Sequence, residues 1–173
     1  MPALILTILS PIGAWIHLRR DSQPRSRERT LEICLLWWLA VAIGVASVLG
    51  AAFHVFDGPD TAERIGFTRG DGGFQFENAM GDLAVGVTGL LCIKFRGYFW
   101  LAVLLFAAIQ YYGDAYGHFY QWIENDNTES GNLGPPLWLD LIVPTVGLVL
   151  YRLYTQAAAL SNPRAAAPAE TFR

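Results

Sequence analysis

Gln110, Asp114, His118 and Gln121 follow one another at steps of four, four and three, so a helix over this stretch carries one polar stripe. A carboxylate and an imidazole one turn apart can ligate a metal, pass a proton, or hydrogen-bond a neighbouring helix. Related groups recur at His54, at Glu77, Asn78 and Asp82, and at Asp140. Asn78 and Asp82 share a helical face, and Glu77 lies about 7.5 Å from Asp82 along the axis at a rise of ~1.5 Å per residue. Each of these residues interrupts a stretch that is otherwise apolar. At the centre of a bilayer an ionisable side chain costs about 2.5–3.5 kcal/mol, so Glu77, Asp82, Asp114 and Asp140 would together cost roughly 10–14 kcal/mol if unpaired.

The composition says why a bilayer is the relevant solvent. Of 173 residues, 53% are hydrophobic, 13% aromatic and only 16% charged, whereas a soluble domain carries about 25% charged residues. The mean hydropathy is +0.32. Twelve basic residues against fifteen acidic ones leave a net charge of −3, which argues against affinity for nucleic acid. Hydrocarbon about 30 Å thick needs roughly 20 apolar helical residues, and five stretches answer: 1–18, 33–56, 73–93, 98–123 and 136–154. The expected fold is all-α, a polytopic transmembrane helix bundle of five spans, four main ones and a shorter N-terminal one containing Pro11. The alternation of barrel strands is absent. Residues 1–156 form a single transmembrane domain, and 157–173, rich in Ala and Pro, read as a poorly ordered cytoplasmic tail.

Charge orients the bundle. With the N-terminus outside and the C-terminus cytoplasmic, the inner segments hold Arg19, Arg20, Arg25, Arg27, Arg29, Lys94, Arg96, Arg152, Arg164 and Arg173, ten of the twelve basic residues. Trp15, Trp37, Trp38 and Trp100 then fall near the inner interface, and Trp122 and Trp138 near the outer one, as aromatic belts do. The first segment has the length of a signal peptide but is followed by arginines and lacks a basic start, so it is expected to be retained. The basic run 19–29 suits a topogenic cytoplasmic loop, and its charge also suits anionic lipid heads.

On this topology all four acids and His54 and His118 lie in the outer halves of their helices, and the inner halves carry no acid. Gly44, Ser47, Ala51 and His54 make a small-residue stripe that permits close helix approach, and Gly113 and Gly117 make a second. Pro144 frees the carbonyl of Asp140. His54, Glu77, Asn78, Asp82, Gln110, Asp114, His118 and Asp140 are expected to converge on a wet, acidic pocket open to the outside, with Asp114 and His118 as its central pair. His118, Asp114, Glu77 and Asp82 are candidate ligands for a divalent metal ion; the same groups could relay protons, bind a cation in transit, or tie helices together. Tyr111, Tyr112, Tyr116 and Tyr120 read as packing and interface anchors, and Cys34 and Cys92 as buried thiols. Asp60 to Glu63 has a capping-box pattern; the glycines at 70, 72 and 73 lack the Lys and Ser or Thr of a phosphate loop. Asn132 is the least ordinary residue of the second outer loop.

His54, then PDTAERIGF (59–67), FQFENAMGD (74–82), GDAYGH (113–118), NLGP (132–135) and Asp140 together resemble a group of uncharacterised bacterial integral membrane proteins related in architecture to the DoxX-like family. The similarity covers 54–152. The resemblance implies four main helices, which makes the first segment an addition, and a bacterial cytoplasmic membrane. Some DoxX-like proteins are membrane partners of quinone-linked sulfur or thiol oxidation, and this chain lacks a vicinal dithiol for that role. The polar residues themselves, not the resemblance, set the leading expectation: a multi-pass protein handling a cation or proton in a transport or accessory role. The alternatives are a membrane subunit of a metal- or quinone-linked redox system and a purely structural partner. Its partners would be the lipid bilayer and further copies or a larger membrane complex.

Overall fold

A computed structural model describes residues 2–161, and within them every regular element is a helix. In chain order these are α1 (Pro2–Arg20), α2 (Arg27–Phe56), α3 (Gly58–Arg64), α4 (Gly73–Leu91), α5 (Tyr98–Asn125) and α6 (Ser130–Ser161), the last interrupted at Gly134. Three of them, α1, α2 and α6, are long and apolar enough to cross a membrane. The polar side chains of α4 and α5 lower their hydropathy, and those two helices fall outside that group.

Helix boundaries depart from expectation where caps and charges act. α2 begins at Arg27, six residues before the apolar run, because Ser26 accepts from the Arg29 amide at 3.0 Å and caps it. Glu28 and Glu32 thereby enter a helix end expected to lack acids. α3 begins at Gly58, with Pro59 in its first turn, and Asp60 is engaged by Arg69 instead of capping. α6 continues to Ser161 with Ala157 buried, taking in the first five residues of the stretch read as a tail. The rest of that tail, with Arg164 and Arg173, lies outside the described residues.

Residues Trp38–Val45 of α2 wind as a π-helix and carry Gly44 onto α4. A Cβ on Gly89 would stand 2.8 Å from the Gly44 Cα, and one on Gly86 would meet the Val48 amide nitrogen at 2.7 Å. The two backbones touch, as the small-residue stripe of α2 implies. Gly113 and Gly117 of α5, by contrast, face open space within the chain.

Leu35, Leu39 and Ile43 of α2, Val85 of α4, Cys92, Trp100 and Leu104 of α5, and Val143 of α6 form the buried core. Trp38 and Trp100 belong to this core and not to an interfacial belt: their indole N–H groups donate to the Val143 and Cys92 carbonyls, each at 2.9 Å. A buried indole needs such an acceptor. Outside the core the packing inverts. Large apolar side chains stand exposed along every long helix, among them Ile5, Ile8, Leu49, Phe76, Ile109 and Ile142. A soluble surface rarely presents this much contiguous hydrocarbon.

Successive long helices run antiparallel, which sorts the chain into two ends. At one end Arg29 joins Asp21 (2.7 Å) and Glu32 (2.8 Å), Arg96 reaches Glu32 (3.4 Å), and Ser161 donates to Glu28. At the other end lie the polar halves of α2, α4, α5 and α6.

Candidate functional site

The polar side chains meet because four antiparallel helices each present their polar half to the same end. Two imidazoles organise the group. His54 of α2 has Nδ1 at 2.5 Å from Gln75 Oε1 and Nε2 at 3.8 Å from Asp82 Oδ2, both on α4. His118 of α5 has Nδ1 at 2.8 Å from Asn132 Oδ1 and Nε2 at 3.5 Å from Asp140 Oδ2, both on α6. The two arrangements are alike: an amide oxygen holds one ring nitrogen, and a carboxylate faces the other.

The second pair is the better determined. Asn132 is fully buried, and its Nδ2 donates to the carbonyls of His118 (3.1 Å) and Asn127 (2.9 Å). With both N–H bonds assigned, its Oδ1 can only accept, so His118 Nδ1 carries a proton. In the neutral ring Nε2 is then a free lone pair turned to Asp140. Asn127 extends the chain outward by donating to Ile65 O (2.8 Å) and Gly66 O (3.3 Å). Gly66 is required there: its φ is +75°, and a Cβ would meet Asn127 Oδ1 at 2.5 Å. Gly131 likewise lies against the Arg64 carbonyl. The loop after α3 and the loop after α5 are thus stapled over the His118 side of the cluster.

Asp114 of α5 lies within electrostatic range of Asp82 and Asp140. It has no cationic partner among the described residues. Asp114 and His118, expected as the central pair, are each turned toward neighbouring helices, and His118 takes Asp140 instead. Gln110 donates to Asn78 Oδ1 at 3.4 Å and rests on Gly81, where a Cβ would come within 2.9 Å of its Oε1. Tyr111, read as an anchor, shares a 2.6 Å hydrogen bond with Ser47 and lies within electrostatic range of all three acids. Asp82 is 8% exposed and packs over Gly50, so it is a buried member of the group.

Glu77 stands apart. It is exposed, five residues before Asp82 on α4 and so about 140° around the helix from it. The proposed metal set of His118, Asp114, Glu77 and Asp82 therefore does not come together, and among the described residues no three His, Cys, Asp or Glu side chains are grouped to hold a metal ion. The donor set present does not fit a resident divalent metal. Two partners escaped the sequence reading: Gln75, three residues before Asn78 and so on its face, and Asn127, whose polar loop context conceals it.

An imidazole nitrogen facing a carboxyl can exchange a proton with it. Asp82, Asp114, Asp140, His54 and His118 are five titratable groups in a half-buried network, and three unpaired acids there would cost roughly 8–10 kcal/mol. Asp82 and Asp140 each face an imidazole nitrogen, which offsets that cost only when a proton is held between ring and carboxyl; Asp114 faces neither ring at salt-bridge distance.

Comparison with known proteins assigns the family without a function. No curated protein and no solved structure matches the chain. Residues 2–159 match the model described as "Family of unknown function (DUF6790)", and the chain belongs to that family.

Proposed function

We propose that this is a bacterial inner-membrane protein of five spans whose outward-facing His–Asp cluster takes up and releases a proton or a small cation, in a transport or accessory role. The observation that carries the reading is His118, held by Asn132 at Nδ1 with Nε2 turned to Asp140 at 3.5 Å. An imidazole fixed in one tautomer beside a carboxylate can accept and return a proton without reorienting. Asp114, with no cationic partner among the described residues, adds a third carboxyl whose charge is felt by both paired acids. In this reading α4 and α5 also cross, their polar halves shielded from lipid by α2 and α6. Their exposed Val87, Leu105 and Ile109 suit contact with hydrocarbon. The concentration of arginines at the other end supports a cytoplasmic C-terminus.

The protein reconstituted in liposomes under a pH gradient tests the reading. The expected outcome is proton or cation flux that falls at least tenfold in both Asp140→Asn and Asp114→Asn while the helical content is unchanged. Flux equal to that of empty liposomes in the parent protein would overturn it and favour a structural role. A metal- or quinone-linked redox role rests on the carboxylate and imidazole donor types and on the DoxX-like resemblance, and among the described residues no three such side chains are grouped to hold a metal.

A further inference from the structure

A second site lies at the opposite end of α2, about 36 Å from His54 at ~1.5 Å per residue from Thr30. There a cavity of about 510 Å³ is lined by Trp15, Leu18, Arg19, Arg25 and Thr30. A smaller one of about 180 Å³, sharing Leu18, Arg19 and Arg25, continues it toward Asp21 and Arg29.

The charges around the cavity are divided unevenly. Arg29 is neutralised by Asp21 and Glu32. Arg19 and Arg25 have no acidic partner among the described residues: the Arg19 guanidinium lies 5.0 Å over the Trp15 ring, and Arg25 donates to the Leu18 carbonyl at 3.2 Å. Both retain donors in the fork geometry that suits a phosphate oxygen pair. Trp15 is 56% exposed at the rim, the amphipathic position tryptophan takes at a headgroup layer.

The cavity opens onto an apolar track. Ile5, Ile8, Ile12 and Trp15 step by three, four and three along α1, and Arg19 follows one turn later. All four apolar residues are exposed. From Arg19 back to Ile5 the track is about 21 Å long at ~1.5 Å per residue. A cationic socket at the end of an exposed hydrocarbon ridge has the shape of an amphiphile.

We infer that the Arg19–Arg25 cavity binds the phosphate of an anionic phospholipid, with an acyl chain laid along Ile5, Ile8 and Ile12 of α1. This rests on the membrane reading above but not on the His–Asp cluster. The site would fix α1 and the loop 21–26 to the cytoplasmic leaflet at a defined headgroup and not through diffuse charge.

Native mass spectrometry of the detergent-purified full chain tests it with phosphatidylglycerol, phosphatidylcholine and inorganic phosphate as separate probes. Phosphatidylglycerol should be retained in preference to phosphatidylcholine. Each arginine removed should weaken it about fivefold, so Arg19→Gln with Arg25→Gln should lose roughly 25-fold. The charge-matched pair Arg20→Gln with Arg27→Gln, outside the cavity, should lose less than fivefold. Equal losses from the two pairs, or equal retention of the two lipids, would overturn the site. Inorganic phosphate binding as tightly as phosphatidylglycerol would overturn the lipid as its source. A chain that stays monodisperse without detergent would sink the membrane reading as well, whereas a detergent-dependent chain indifferent to Arg19 and Arg25 sinks this inference alone.

Discussion

Asn132 fixes the tautomer of His118. Its two N–H bonds go to the carbonyls of His118 and Asn127, so the 2.8 Å contact between Asn132 Oδ1 and His118 Nδ1 requires the proton to sit on the ring nitrogen. The consequence is a free Nε2 lone pair turned to a carboxylate on the next helix, on which the proton-handling proposal depends.

That tautomer can be observed directly. Nitrogen NMR of the labelled protein should show His118 protonated at Nδ1 in its neutral form, and Asn132→Leu should abolish the preference. The same substitution strands two carbonyls in a buried site, at about 1–3 kcal/mol for each unsatisfied group. Its melting temperature should fall accordingly. An unchanged ring spectrum would show that Asn132 does not hold the imidazole.

Tyr111 and Ser47 join α5 to α2 beside the acids through one 2.6 Å hydrogen bond. Tyr111→Phe and Ser47→Ala should each destabilise the chain by about 1 kcal/mol, and the double variant by little more than either. Additive losses in a double-mutant cycle would mean that the hydroxyls act separately.

The glycines divide into two kinds with opposite expected behaviour. Gly89→Ala forces a Cβ to within 2.8 Å of the Gly44 Cα, where only backbone can yield. A loss of about 1–3 kcal/mol is expected, read as a lower unfolding temperature in detergent. Gly117→Ala meets nothing, and the higher helix propensity of alanine should make it neutral or stabilising by up to about 1 kcal/mol.

The acidic-end loop supplies a pH test. Arg69 beside Asp60 holds that carboxyl below its ordinary value of 3.8. A folded-state value that is depressed contributes stability above the unfolded one and loses it as pH falls through the folded one. Hydrogen exchange in residues 57–70 should therefore be level between pH 7 and 5, once corrected for intrinsic rates, and should accelerate only below 3.8. Both partners are more than half exposed, at 60% and 51%, so added salt should weaken the same protection. Acceleration already at pH 5 would point to a different group.

The helical class and the clustering of polar groups at one end were legible from residue order alone. Apolar runs of membrane-crossing length dictate helices, and antiparallel succession brings the polar halves of α2, α4, α5 and α6 together whatever their detailed packing. The sequence also showed that α2 has a face fit for close approach, because Gly44, Ser47 and Ala51 recur at helical spacing, but that α4 is the helix it meets came from the structure. Pairing was another matter. Spacing puts Asp114 and His118 on one face of α5, yet their partners depend on the rotation of each helix about its axis, which contacts far apart in the chain decide. The glycine crossing sets how α2 and α4 meet and seats His54 against Gln75 and Asp82. Asn132 and the loop staple at Gly66 seat His118 against Asp140. Glu77 was separable from spacing itself, since at about 100° per residue a position five away from Asp82 turns off its face. Local periodicity determined which residues could meet, and tertiary packing decided which ones did.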